Sequence, residues 1–291
     1  MYQNIVIGYD GSDRSEDALV LGCRLAAATH ARVTIACAYA GRALAVRVGS
    51  AATGIDVAGE ADAVLDHAMR QVPSGVEART AKLPEASPAR ALNDLVEEAG
   101  ADLLVLGSSS HGPIGRVLAG NMATRLLHGS PCAIAVAPAG YAERETAPSG
   151  AIGVCFDDSP ESELALGAAV ELCLAMHARL RVLSVLGRPL HPYPSELGQP
   201  LPDFDPPTGL GADRITSALD HVRGAVEASG EAFTGSPAKV LAREAEAEAL
   251  DLLVTGSRGY GPVGRVLLGG VSAKLMRIAP CPVLVVPRSA G

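Results

Sequence analysis

The chain of 291 residues has no tryptophan, three phenylalanines and six tyrosines, although 48% of its residues are hydrophobic. Its cores must therefore be aliphatic, packed from Val, Leu, Ile and Ala. No apolar run approaches the roughly 20 residues that span a bilayer, so no membrane partner is expected. Basic charge is short as well: 24 Lys and Arg against 32 Asp and Glu leave a formal charge of −8. A nucleic-acid partner would call for a basic footprint and is not expected either. That balance leaves room for a small anionic ligand held by backbone amides. The six cysteines form no CxxC pair and no zinc-ligand spacing. They read as reduced core thiols, and no metal site is expected. The start, MYQNIVIGYDGS, enters a strand at once without a basic n-region, which points to a cytoplasmic address.

What is present is a repeat. Residues 101–139 and 250–288 align without a gap and match at 18 of 39 positions. Ile5–Ala38 and Ile152–Val185 match at 12 of 34, again without a gap. A period of half the chain is too long for a solenoid and implies two copies of one domain. The polar, turn-rich linker Gly140–Gly150 separates them, giving expected domains at 1–140 and 151–289.

Each copy alternates strand and helix. The first predicts strands at Asn4–Tyr9, Ala31–Ala38, Val76–Leu83, Asp102–Leu106 and Cys132–Ala137. After a turn at Asp10-Gly11-Ser12, its helices are expected up to about Thr29, near Gly59–Gln71, over Pro88–Ala99 and through Leu127. Ser87-Pro88, Ser159-Pro160 and Ser236-Pro237 each place an N-cap hydroxyl before a proline at the first helical position. Strands such as DLLVLG and DLLVTG are apolar throughout, as strands buried on both faces are. The fold class that follows is α/β, two doubly wound parallel five-stranded sheets in tandem. The second copy is five residues shorter between Leu219 and Gly256 than the first is between Leu65 and Gly107. Its third strand is accordingly expected to be short, around Glu231–Thr234. Gly187–Gly211 is Pro-rich and aperiodic, a surface loop or a flap.

Doubly wound sheets bind ligands at the C-terminal ends of strands, where strand order reverses. If the first strand abuts the fourth, two loops converge there: the turn carrying Asp10 or Asp157, and the Gly-rich loop from Gly107 or Gly256. Glycines at 256, 259 and 261 would let backbone approach a ligand, and the following helix start offers free amides to an anion. A tight turn is the alternative. Two decoys fail. Pro113 and Pro262 stand where a Walker A lysine should be. Gly259-x-Gly261-x-x-Gly264 follows the fourth strand rather than the first, so it is no dinucleotide fingerprint. No GxSxG, HExxH or Ser/His/Asp set is present, and no catalytic residue is assigned. No residue is an evident catalytic base, so slow hydrolysis of a bound ligand is the most that is expected.

At these loops the chain resembles the universal stress protein family, in its tandem two-domain form. Nucleotide-binding members of that family carry G-x2-G-x9-G-[ST] after the fourth strand and an Asp at the end of the first. Here Gly256, Gly259 and Gly269 match, with Gly270 in place of Ser or Thr and Asp157 upstream. In the first copy Gly107 and Gly120 match, Ser110 replaces the second glycine, and Asn121 follows the third, with Asp10 upstream. The resemblance implies an adenine nucleotide alpha hydrolase-like, Rossmann-like fold and an adenine nucleotide partner, ATP, with Mg²⁺ as its accompanying ion. It places adenine against Asp157 and Val185, or Asp10 and Ala38, and phosphates on the amides of Gly259, Gly269, Gly270 and Val271, near the Ser272 hydroxyl. His111 and Tyr260 either lid the pocket or are solvated. Arg116 and Arg265 either meet phosphate or form salt bridges. The implied role is a stress-response sensor or regulator; a scaffold of the same fold acting through protein contacts is the alternative. The apolar last strands, Cys132–Ala137 and Cys281–Val286, would be bare edges unless they pair as an intramolecular pseudo-dimer. A homodimer is left open.

Overall fold

The structure, a computed structural model, describes residues 1–39, 57–85, 87–108, 130–144, 148–187, 209–257 and 269–287. The first half runs β1 (Asn4–Gly8), α1 (Asp13–Thr29), β2 (Arg32–Tyr39), α2 (Val57–Gln71), β3 (Ala78–Pro84), α3 (Pro88–Glu98), β4 (Leu103–Gly107) and β5 (Ala133–Ala137). The second runs β6 (Ala151–Cys155), α4 (Pro160–Met176), β7 (Arg179–Leu186), α5 (Leu210–His221), β8 (Ala228–Thr234), α6 (Pro237–Ala247), β9 (Leu252–Gly256), α7 (Gly270–Ile278) and β10 (Val283–Val286).

The ten strands form one sheet in the order β3-β2-β1-β4-β5-β10-β9-β6-β7-β8. Every pairing is parallel except the central one. There β5 and β10 run antiparallel, with Val283 opposite Val136, Leu284 opposite Ala135 and Val285 opposite Ile134. The two five-stranded sheets are thus a single continuous sheet, and the apolar edges expected of β5 and β10 cover each other. Alternation along the strands sorts side chains to two faces. Ile5 and Ile7 join the core under α1, α2, α4 and α5, while Val6 joins the one under α3, α6 and α7. Both cores run across the seam.

Helix ends follow local chemistry. Ser12 and Ser159 cap α1 and α4, their hydroxyls accepting from the Ser15 and Ser162 amides at 3.3 and 3.2 Å. Ser87 and Ser236 occupy the N-cap positions of α3 and α6, but their hydroxyls make no cap bond. For those two helices the Ser-Pro pair marks the start through the proline's fixed φ alone. The third strand of the second half is not short: β8 has seven residues, as β3 does. It is held by a seven-pair register with β7, from Leu180–Ala228 to Leu186–Thr234. The missing residues come instead from α5, which ends two residues after Leu219 where α2 ends six after Leu65, and from a shorter β8–α6 turn. Shortening a strand forfeits ladder hydrogen bonds, whereas a helix end and a turn can be trimmed without orphaning any. The Pro-rich excursion also ends earlier than its composition suggests, because Gly211 is already inside α5; residues 188–208 lie outside the described residues.

Three aspartates tie the chain together. Asp102 accepts from the Gln3 and Asn4 amides at 2.7 and 3.1 Å. Its counterpart Asp251 accepts from Ser149, Gly150 and Ala151 at 2.8, 2.7 and 3.2 Å. Asp17, buried in α1, accepts from Gly140 and Ala142 and so pins the linker to the first half.

Candidate functional site

In both halves the first and fourth strands are neighbours, β1 with β4 and β6 with β9, so strand order reverses between them. In the second half a cleft of about 580 Å³ opens at that point. Its floor is the end of β6, where Cys155 and Phe156 lead into Asp157. The Asp157 carboxylate is exposed and held in place: its Oδ1 accepts from the Ser159 amide at 3.2 Å and the Ser159 hydroxyl at 2.5 Å. Asp10 repeats this with Ser12 at 3.1 and 2.6 Å. On one wall β7 outruns its neighbour. Cys155, the last residue of β6, lies opposite Leu183, which leaves the β6-facing edge of Val185 bare. Ala38 stands two residues past Ala36, which faces the end of β1, in the same way.

The opposite wall is the start of α7. Gly269 occupies the N-cap and has no side chain to cap with, and its own amide donates to Ser272 Oγ at 3.1 Å. The first-turn amides of Gly270 and Val271 therefore face the cleft without a side-chain cap, a geometry that attracts anions. Ser257 also lines the cleft; its hydroxyl is buried and, among the described residues, has no hydrogen-bond partner. Burial raises the Cys155 thiol well above its ordinary range, a shift the Thr255 hydroxyl partly offsets. A neutral thiol here is a packing group rather than a nucleophile.

Two halves of one chain match the sequence profile of the universal stress protein family, at residues 1–138 and 149–287. The chain belongs to the universal stress protein family. A universal stress protein of Mycobacterium tuberculosis is 30% identical over 239 residues, covering 75% of each chain. One from Thermus aquaticus is 31% identical over 134 residues, 46% of this chain and 95% of its own. The crystal structure of a universal stress protein from Archaeoglobus fulgidus covers 98% of both chains with a TM-score of 0.69 at 18% identity, a likeness of fold.

On this universal stress protein fold, Asp157, Val185, Gly256, Gly269, Gly270, Val271 and Ser272 all line one cleft. Gly259, Ser110, Gly120 and Asn121 lie outside the described residues, as do His111, Tyr260, Arg116 and Arg265. Two expectations change in content. A Cβ on Gly256 would sit 2.4 Å from the Glu161 carbonyl oxygen, and one on Gly107 only 1.8 Å from that of Arg14. These glycines exist so that the end of β9 or β4 can press against the first turn of α4 or α1; approach to a ligand is not needed to explain them. The Ser272 hydroxyl, in turn, is buried and already committed to Gly269, accepting from its amide and donating to its carbonyl at 3.3 Å. At the edge of the cleft it shapes the amide cradle. Ser257 was missed by the sequence reading. Only its position after a strand-ending glycine, shared with Ser108, could have hinted at it.

Proposed function

We propose that this universal stress protein binds an adenine nucleotide, ATP, in the cleft of its second half and acts as a nucleotide-responsive regulator in the cytoplasm. The supporting observation is the opposition of two kinds of group across one cleft. Acceptors, the Asp157 carboxylate and the bare edge of Val185, stand on one side, where an adenine amino group needs them. Donors, the uncapped amides of α7 and the unpaired Ser257 hydroxyl, stand on the other, where phosphate oxygens need them. A volume of about 580 Å³ is in the range of small-molecule sites. Charge-assisted bonds from amide to phosphate contribute about 1.5–3 kcal/mol each. Three or four, set against the cost of association, support an affinity on the micromolar scale. Mg²⁺ would ride on the phosphates, since no cluster of three or more metal-ligating side chains exists among the described residues.

The second half is proposed as the tighter site, because Gly259 and Gly270 stand where the first half has Ser110 and Asn121. Calorimetric titration of ATP with Mg²⁺ tests this. Asp157→Ala should weaken binding about tenfold, the loss of one such hydrogen bond. Gly259→Ser and Gly269→Val should weaken it further, while Gly120→Val leaves the tight site intact. If Gly120→Val alone abolishes tight binding, the halves are assigned backwards. If the wild type binds no nucleotide at millimolar concentration, the fold acts here as a scaffold.

A further inference from the structure

A second cavity, of about 300 Å³, lies where the two halves meet, at the opposite ends of the strands from the nucleotide cleft. Its positive groups are Arg24 on α1 and Arg144 in the segment after β5. Both guanidinium groups lie over the Tyr141 ring, at 5.3 and 5.8 Å from its centre, and Arg24 Nη1 donates to the Tyr141 hydroxyl at 3.0 Å. Tyr141 is only 7% exposed, so it is a fixed platform for both. Neither arginine forms an ion pair among the described residues, in a chain with a clear excess of acid. The Ser149 hydroxyl, also on the wall, is buried without a hydrogen-bond partner among the described residues.

Two acids border the same space. Asp251 has both oxygens filled by the three amides of residues 149–151, and Glu246 is exposed at the rim. What faces this space is two exposed guanidinium groups, Arg24 spending one N–H on Tyr141, and the buried Ser149 hydroxyl, all with donors to spare and carried on separate segments. A carboxylate has two oxygens for such a set; a tetrahedral phosphoryl group has enough for all three. We infer that this junction is a binding site for a small phosphoryl-bearing anion, distinct from the nucleotide cleft. The cavity is at the lower limit for small-molecule sites, so the occupant is inorganic phosphate or a compact phosphorylated metabolite. Its walls come from α1, the linker segment, the end of α6 and residues 280–282. An occupant therefore bridges the two halves.

The test is calorimetric titration of the full chain with inorganic phosphate and, separately, 3-phosphoglycerate, at ionic strength held constant with chloride. Saturable binding of at least one probe is expected, weakened tenfold or more in Arg144→Gln and several-fold in Ser149→Ala. Asp157→Ala, which damages only the nucleotide cleft, should leave it unchanged, so this inference and the nucleotide reading fail separately. Phosphate binding as tightly as 3-phosphoglycerate identifies free phosphate as the occupant; tighter 3-phosphoglycerate identifies a metabolite. The Arg144 side chain is exposed and, among the described residues, its contact is the Tyr141 ring, so its variant should fold, and a matching circular dichroism melt checks that it does. No saturation by either probe at 10 mM, or equal affinity in a folded Arg144→Gln protein, overturns the inference.

Discussion

Gly256→Ala separates a glycine kept for packing from one kept for a ligand. The added Cβ would lie 2.4 Å from the Glu161 carbonyl oxygen, 2.7 Å from its carbonyl carbon and 2.9 Å from the Glu161 Cβ. Two of these contacts are backbone, in the first turn of a capped helix, so no side chain can swing away. Either β9 retreats from α4 or the helix start shifts, and both are built into the buried sheet. Overpacking of this kind costs about 1–3 kcal/mol, which for a chain of this size lowers the Tm by about 2–5 °C. Gly270→Ala is the control: among the described residues nothing lies within 4 Å of its added Cβ, and alanine in a helix favours folding by about 0.5–1 kcal/mol. Thermal melts followed by circular dichroism, without nucleotide, should place Gly256→Ala below and Gly270→Ala at or above wild type. A Gly256→Ala protein as stable as wild type but deficient in nucleotide binding would refute the packing account.

Other consequences follow from specific contacts. Asp158 holds φ 66°, where its counterpart Gly11 has φ 80°; Asp158→Gly should raise stability by about 0.5–1 kcal/mol in urea unfolding, and Asp158→Ala should not. Leu284, fully buried at the seam opposite Ala135, should cost about 2–5 kcal/mol on change to alanine, read as a lower urea midpoint in a single transition for both halves. Burial pushes the Cys132 thiol up to about 11 and the Cys281 and Cys173 thiols up to about 12, from an ordinary 9.0. Each folded thiol holds its proton more tightly than the unfolded one, so the stability they supply is complete below about pH 9 and is lost as pH climbs towards the raised values. The urea midpoint should therefore fall between pH 9 and 11, and Ellman's reagent at pH 8 should reach these three thiols only after unfolding.

The duplicated pattern made the strand-helix alternation, the parallel character and the pairing of β5 with β10 legible before any coordinates. Those features rest on local periodicity and on the cost of a bare apolar edge, and both are written residue by residue in stretches such as AIAVA and VLVV. The candidate cleft was legible for the same reason: Asp157, Gly256 and Gly269 sit at strand ends and a helix start, where backbone geometry follows from local order. What tertiary structure alone decided is which partner each group spends itself on. Ser272 turned out to serve its own helix cap, Gly256 a neighbouring helix, and Asp17, Asp102 and Asp251 the amides of segments about a hundred residues away. Length told the same lesson in β8, where the cost of unpaired ladder groups shifted a deletion from strand to helix. The meeting of Arg24, Arg144 and Ser149 around one cavity is likewise invisible in sequence, because their proximity is created only when the seam closes and brings two halves of the chain against a single tyrosine.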